Sequence, residues 1–494
     1  MSATHEYRAG FFFCGSGPGA YGFLQAHVTL AGQSARFVSV GGIDFDPLAC
    51  ADFEMLTQSP ALCCDIRECT PSMLRALMGE TAPDVVFGSP PCQGFSRLLA
   101  AKVSQTAKYQ ELNRLVLVWL ELVMATWAEP PALLLLENVE GIATRGAGLL
   151  KSVRKVLRSG GYVLNESTHD CGVIGGLAQH RSRFLIVARR PSRVPGLLYQ
   201  PPKRRVRGCG EVLGDLPLPA DIDAGRLHAL PRMTPKNWLR LALIPPGGDW
   251  RDLEGVLADG QARREVFGRY KINAWDEPVS TIAGSGTNGV YGVADPRVKT
   301  AFDHGYGVLA WTQPSPTVAG GSAVGQGAYA VADPRLTCEP RRGAYGVLDW
   351  SQPAKTITGS HQIDNGPAAV ADPRFSEPAE VDSVDWSSKR PADRPPVMIA
   401  RDGTWHRPLT LLDLAALQGL PARLNGAPLD MAGTLSQVRT HLGNAVPVGA
   451  AKAIAEKMLV TLCGADSGAF SLSNDSVWVD APDAIEPGRA ELAS

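Results

Sequence analysis

Through the first 190 residues, short apolar runs alternate with stretches of helical periodicity. Phe11 to Cys14, Phe37 to Ile43, Val85 to Phe87, Leu133 to Leu136 and Phe184 to Ala188 read as buried strands, since brief continuous apolar runs suit a sheet covered on both faces. The alternation predicts an α/β fold with a mostly parallel sheet between helices. From about residue 195 the pattern gives way to Pro and Gly punctuation, and a repeat emerges. Segments 270–297, 306–335 and 345–374 share a Tyr, a Trp, a Pro, a Thr followed by Ile or Val, and a closing Val-Ala-Asp-Pro-Arg. Three such units are too few for a long solenoid and predict an inserted β-rich module within 196–400. Helical periodicity returns across 401–463, in 410–421 and again from Val448 to Leu462. The acidic stretch 464–494, with its Ser, Ala and Pro, is expected to be disordered.

Composition narrows this only a little. Hydrophobic residues at 45% and charged residues at 20% suit a soluble globular protein. No signal peptide and no apolar run of about 18 residues is visible, which speaks against a membrane role. The ten cysteines form no CxxC pair, so reduced thiols in a cytoplasmic setting are expected, with neither a disulfide framework nor a metal site. The net charge of −1 is uninformative, but its distribution is uneven. Between Arg189 and Arg207 stand seven basic residues and no acid, a candidate for phosphate contact as much as a solvated loop.

Candidate chemistry follows the strand ends. Phe11 to Phe23 reads as a strand running into Gly15-x-Gly17-x-Gly19 and then a helix, a turn that lets backbone approach a ligand. Asp44 and Phe45 follow the next strand, where a carboxylate can meet a ribose and a ring can meet an adenine. Asp65 follows a third segment. With neither the full GxGxxG spacing nor a P-loop lysine, a nucleoside without phosphates, such as S-adenosylmethionine, fits better than NAD or ATP. Turn or cap roles for the two carboxylates are the plainer alternative.

Cys92 sits on the rigid turn Ser89-Pro90-Pro91-Cys92-Gln93-Gly94, a more natural place for a nucleophile than for a structural thiol. Glu137-Asn138 ends the run of four leucines, where a carboxyl must be capped, paired or able to donate a proton. Arg181 and Arg183 stand at the entry to another buried strand, and period-two alternation aims both guanidiniums to one side, to hold a carboxylate and a substrate carbonyl or simply to face solvent.

Taken in chain order, these segments resemble the DNA cytosine-5 methyltransferases. FCGSGPG, GIDFD and CDI match the first three motifs, GSPPCQGFS the Pro-Cys motif, ENV and QHRSR the acid and arginine motifs, and 407–421 and 443–454 the ninth and tenth. The resemblance spans about 11–190 and 405–457. It implies a Rossmann-like S-adenosylmethionine-dependent sheet in a catalytic and cofactor-binding domain, 1–195, with 196–400 as an inserted, β-rich target-recognition domain and 401–463 returning to the catalytic domain. By the same resemblance Cys92 is the nucleophile, Glu137 meets ring nitrogen 3, and Arg183, with Arg181 beside it, meets the carbonyl at carbon 2. Phe13, Gly15, Ser16, Gly17, Asp44, Phe45, Asp65, Ile66, Asn444 and Val446 then line the cofactor. Gln93, Ser96, Asn138, Thr281, Thr317 and Thr356 face the DNA.

The implied partners are double-stranded DNA and a cognate restriction endonuclease, with the chain a cytoplasmic monomer. Two rivals stand beside this reading: a cytosine-5 methyltransferase acting on RNA, and a catalytically silent DNA-binding module, which would have eroded motifs that are intact here. The chain departs from the family at Phe11-Phe12, which replace an acidic start, at Pro18, which replaces a glycine, and at Thr440-His441-Leu442 ahead of Gly443.

Overall fold

The computed structural model describes residues 4–30, 32–91, 95, 106–219, 221–230, 243, 350–354, 374, 405–468, 473 and 475–479, together with six short strands between 272 and 372. The chain divides into two compact units, one of residues 1–231, 348–363 and 408–494, the other of residues 232–347 and 364–407.

In the first unit, eight strands form one sheet: β1 (His5–Phe12), β2 (His27–Leu30), β3 (Gln33–Asp44), β4 (Ala61–Cys63), β5 (Val85–Gly88), β6 (Leu133–Val139), β7 (Val163–Asp170) and β8 (Ser182–Arg189). Their order is β2-β3-β1-β5-β6-β8-β7, with β4 beside β3. β4, β3, β1, β5 and β6 run parallel, whereas β2 and β8 run against their neighbours. All five strands expected from apolar runs are present, although β1 both starts and ends earlier than the expected Phe11 to Cys14. β2, β4 and β7 escape that reading for a physical reason. β7 is an edge strand carrying Asn165, Glu166, Ser167, Thr168 and His169, and the other two are very short.

The apolar runs divide between two cores by strict alternation. Phe11, Val85, Phe87, Leu133, Leu135, Leu185 and Val187 point to one face, where they meet α1 (Pro18–Leu24). Phe12, Val86, Leu134, Leu136, Phe184 and Ile186 point to the other, under α3 (Pro71–Met78), α4 (Ala107–Thr126) and α5 (Ala147–Ser159), whereas Phe53 of α2 (Pro47–Thr57) joins the first core. A strand buried on both faces has no polar side to show, which is why four consecutive leucines suit β6. After the short α6 (Cys171–Gly175) and β8, the chain re-enters this unit with α7 (Leu411–Leu417), α8 (Leu435–Asn444) and α9 (Val448–Ser467). α9 completes the first core, and it lies close against α1 and α6 because glycines permit it. A Cβ on Gly22 would fall 2.4 Å from the Val448 carbonyl oxygen, and one on Gly175 would fall 2.6 Å from the Ala450 nitrogen.

The tail departs from expectation. α9 runs to Ser467, and Val477–Val479 pairs antiparallel with Leu198–Tyr199. Trp478 is buried and its Nε1 donates to Ser167 Oγ at 3.1 Å. An apolar Val-Trp-Val triad within an acidic stretch is enough to dock it. Residues beyond 479 lie outside the described ones.

In the repeat region the described strands pair within repeats. Ile272–Ala274 pairs in parallel with Gly292–Ala294, Tyr306–Ala310 in parallel with Gly327–Ala332, and Gly346–Leu348 lies beside Pro367–Asp372. Each repeat thus joins the strand after its Tyr to the strand at its Val-Ala closing segment. This is the β-rich character expected of the insert.

Candidate active site

One register row crosses the sheet through Leu62, Ile43, Phe12, Gly88, Leu136 and Ile186. One residue beyond it, at the carboxyl edge of the parallel strands, stand Asp44, Phe13, Ser89 and Glu137. Ligands bind at this edge in open α/β sheets. Gly88 lets the row close over Trp119, whose Cη2 would lie 2.4 Å from a Cβ at that position.

Past β1 the chain turns through left-handed backbone at Phe13 (φ 49°), Gly15 (φ 51°) and Gly17 (φ 89°), the last immediately before α1. The Gly15 N–H donates to Asp44 Oδ2 at 2.9 Å, and the Asp46 N–H donates to Asp44 Oδ1 at 3.1 Å. Asp44 therefore ties the glycine loop to the end of β3. Burial pushes its carboxyl up, against those N–H donors. The neighbouring Phe45 ring is 70% exposed. Asp65 pairs with Arg67 at 2.6 Å, and that guanidinium lowers its pKa. Ile66 is buried beneath it. On the opposite side Val446 is buried against the glycine loop, 3.3 Å from where a Gly19 Cβ would lie, and Asn444 is exposed.

These groups suit a nucleoside such as the adenosyl end of S-adenosylmethionine. The Ser16 hydroxyl is buried with no partner among the described residues, open space lies around Gly15, and Phe45 offers a bare ring beside a carboxylate. Asp44 and Asp65 already hold protein donors, but a carboxylate oxygen accepts more than one hydrogen bond.

Glu137 and Arg183 meet across β6 and β8. Val139 faces Arg183 in the antiparallel register, so Glu137, two residues earlier, lies diagonally on the same face. Arg183 Nε is 2.7 Å from Glu137 Oε1, the Ser89 hydroxyl donates to Oε2 at 2.7 Å, and both partners of the ion pair are largely buried. A buried pair of this kind costs desolvation and holds its geometry because each oxygen is satisfied. Asn138, expected to face DNA, is instead buried, donating to the Pro90 carbonyl at 3.3 Å and accepting from the Val139 N–H. It fixes the Pro-Pro turn ahead of Cys92. Ser89 has no place in the sequence reading, although its position directly after a buried strand is the same signal that finds Glu137.

Arg181 does not share the direction of Arg183, contrary to the period-two expectation. It precedes β8, so strand alternation does not govern it. Its Nη2 donates to the Gly443 and Ala445 carbonyls, each at 2.9 Å. Those carbonyls belong to the C-terminal end of α8, whose acceptors have no helical partner and attract a cation. The basic run is likewise used internally. Arg189 donates to the Val194 carbonyl, Arg190 pairs with Glu129, Arg193 with Asp466, Arg204 with Glu456, Arg205 with Glu211, and Arg207 donates to the Gly176 carbonyl. Phosphate contact by these arginines is not what the structure favours. Cys92, Gln93, Ser96, Thr281, Thr317 and Thr356 lie outside the described residues.

The Thr-His-Leu departure before Gly443 also acquires a role. His441 Nε2 is 3.2 Å from Asp46 Oδ2 and Nδ1 is 3.6 Å from the buried Asp52, on α2, so the helix ending at Asn444 is held to the loop carrying Asp44 and Phe45. The two carboxylates, Asp52 first, raise the imidazole pKa. The imidazolium therefore stabilises the fold fully below about pH 6.5, its ordinary value, and that contribution is lost as pH rises through the raised one. His441→Ala is expected to cost roughly 1.5–3 kcal/mol in the acidic limb and progressively less above it. Denaturant melts of both proteins from about pH 5.5 to 9 check this, and a pH-independent difference contradicts it.

No helix among the described residues is long and apolar enough to cross a membrane, and no cluster of His, Cys, Asp and Glu among them is arranged to hold a metal. Comparison with known proteins agrees with the site. Residues 9–208 match the model of the C-5 cytosine-specific DNA methylases. The chain is 27% identical over 239 residues to the type II methyltransferase M.XorII of Xanthomonas oryzae, covering 46% of this chain and 49% of that protein. It is also 27% identical over 210 residues to the type II methyltransferase M.Eco47II of Escherichia coli, covering 40% and 48%. The matched region thus spans about half the length of these relatives. The solved structure of the Entamoeba histolytica methyltransferase EhMeth covers 93% of this chain and 99% of its own at 11% identity, with a TM-score of 0.48. Residues 9–208, which bring the glycine loop, Asp44, Glu137 and Arg183 to one sheet edge, are similar to the C-5 cytosine-specific DNA methylases.

Proposed function

We propose that this chain methylates carbon 5 of cytosine in double-stranded DNA, using S-adenosylmethionine. The observation that carries the reading is the buried Glu137–Arg183 pair with Ser89, three residues before Cys92, at the strand ends where the nucleoside-binding loop also lies. When bound, S-adenosylmethionine supplies an electrophilic methyl on sulfonium sulfur. The protein's own groups prepare the base for it. The Cys92 thiolate adds to carbon 6, forming a carbon–sulfur bond and pushing the π electrons toward carbon 5, which becomes nucleophilic. Glu137 donates to ring nitrogen 3 and Arg183 to the oxygen on carbon 2, so the charge arriving on the ring is met at two positions. After methyl transfer, loss of the proton on carbon 5 returns electrons to the ring and expels the thiolate.

Because carbon 6 is hidden in a duplex, the base is flipped out first, at a cost of a few kcal/mol. Residues 196–400 read the DNA target, and the type II names of the relatives support a reaction paired with a cognate restriction endonuclease in the cytoplasm. The test is a duplex containing 5-fluorocytosine, which has no proton to lose from carbon 5. With the cofactor present it is expected to remain attached to the protein, with the peptide containing Cys92 carrying the adduct. Attachment through another residue, or none with a methylated natural duplex, overturns the covalent reading.

A further inference from the structure

The end of α8 is held from two sides. Arg181 grips the Gly443 and Ala445 carbonyls, and the Gln418 side-chain amide donates to the Leu442 carbonyl. The other side is held by His441, in the last turn of the helix. Its Nε2 donates to Asp46 Oδ2 at 3.2 Å, while Asp46 Oδ1 caps α2 by accepting from the Leu48 N–H at 2.9 Å, and the Asp46 N–H donates to Asp44. His441 Nδ1 faces Asp52 Oδ2 at 3.6 Å, and both atoms are buried with no hydrogen-bond partner among the described residues. The second Asp52 oxygen accepts from the Ala432 N–H at 2.6 Å. Each nitrogen of one ring thus meets its own carboxylate, and both carboxylates belong to α2 or its cap.

Only the charged ring serves both carboxylates. An imidazolium has two N–H donors, whereas a neutral imidazole has one and turns a lone pair toward the second oxygen. The helix favours the charged form as well, since its C-terminal end attracts a cation. Among the described residues no Lys or Arg lies within ion-pair distance of Asp46 or Asp52, so His441 is their counter-charge. The other charged groups on the surrounding elements are engaged elsewhere or turned away. Asp44 holds the Gly15 N–H, Glu54 accepts from the Ala61 N–H, Asp430 pairs with Arg226, and Asp413 accepts from the Thr410 N–H. Arg439 stands two residues before His441 on the same helix, a spacing that places the two on different sides.

The parts joined in this way carry the two walls of the nucleoside site. Asp44 and Phe45 directly precede Asp46, and Asn444 and Val446 follow His441 by three and five residues. We propose that His441 is a positioning residue for the cofactor, an ionic clamp that sets the end of α8 against the Asp44–Phe45 loop while its ring carries a proton. Protonation of the clamp and occupation of the site then favour each other, because linkage is reciprocal. Affinity for the cofactor is highest where the ring is charged, and binding draws a proton from solution. The two carboxylates raise the imidazole pKa, so the clamp is complete below about pH 6.5 and released as pH rises through the raised value. The identity of the cofactor rests on the methylase reading above; the clamp itself does not.

Two measurements on the full chain test it. The first is calorimetric titration with S-adenosylmethionine from about pH 6 to 9, in two buffers of different ionisation enthalpy, on the parent and on His441→Gln, whose amide donates to Asp46 but takes up no proton. The Kd of the parent is expected to rise roughly 5- to 50-fold more than that of the variant across this range. Binding by the parent is also expected to take up a fraction of a proton that the variant does not, a difference from which the ligand's own amino group cancels. Equal pH profiles in the two proteins overturn the proposal, as does pH-independent binding by the parent alone. The second measurement needs no ligand: hydrogen exchange over residues 44–52 in the unbound chain, corrected for the intrinsic rate. Protection is expected to fall at least about tenfold between pH 6 and 9 in the parent and to stay constant in His441→Gln. The same protection at both pH values in the parent means that there is no clamp. A chain whose protection follows pH as expected but which binds no S-adenosylmethionine overturns the cofactor role and the methylase reading together. One that binds it with the expected pH profile and methylates no cytosine overturns the methylase reading alone.

Discussion

Cys92→Ala is expected to abolish methyl transfer, by at least about ten-thousand-fold, equivalent to roughly 5.4 kcal/mol of transition-state stabilisation. The proposed reaction needs a bond from the thiol to carbon 6 that water or serine makes poorly, and without that bond carbon 5 stays part of an aromatic ring. Binding is a separate matter. The groups proposed to hold the cofactor, Asp44, Phe45 and Ser16, are untouched by the change, so the variant is expected to bind S-adenosylmethionine with unchanged affinity by calorimetry. Its melting temperature should also match the parent. A variant that folds, binds cofactor and still methylates duplex DNA at more than about one-hundredth of the parental rate would falsify covalent catalysis through this residue.

Glu137→Gln is the second large effect. The amide keeps its oxygen for Arg183 Nε and can donate its NH2 to the Ser89 hydroxyl oxygen, but it has no acidic proton, so the turnover rate is expected to fall about 100- to 10,000-fold with little change in KM for DNA. Glu137→Ala adds a structural penalty: it leaves the Arg183 guanidinium, now 2.7 Å from the carboxylate, without its partner in a largely buried position. That loss is expected to cost about 3–5 kcal/mol of stability. Chemical denaturation separates the two variants. If both lose stability equally while turnover is little changed in the glutamine form, the carboxyl is only a structural partner for arginine and plays no part in proton donation.

What can be read from sequence follows from the kind of physics involved. Strands buried on both faces announce themselves as apolar runs, so β3, β5, β6 and β8 are legible, and so is the residue just past each one. Asp44 and Glu137 are found that way, since a charged group ending an apolar run has few innocent explanations. Edge strand β7 has no such signature, being half polar. Arg181 defeats the reading because periodicity says where a side chain points only inside a strand, and Arg181 stops one residue short of it. The basic run misleads because a list of arginines does not reveal acids such as Asp466 and Glu456, hundreds of residues away in the chain, that neutralise them. His441 is visible only as an oddity in a familiar motif. Its partners Asp46 and Asp52 require the fold.

The return of α9 to the same core as β1 has a consequence for how such a chain can grow. Residues 232–347 and 364–407 leave and re-enter one folded unit, whose two parts close over each other at glycine contacts between α1 and α9. For the core, the insert is a loop, and the entropy of closing a loop rises only with the logarithm of its length. Tripling a flexible connection adds only about 1 kcal/mol. A tandem array of repeats can therefore lengthen or shorten by whole units at small thermodynamic expense to the core, leaving copy number free to vary while Glu137 and Arg183 stay where they are.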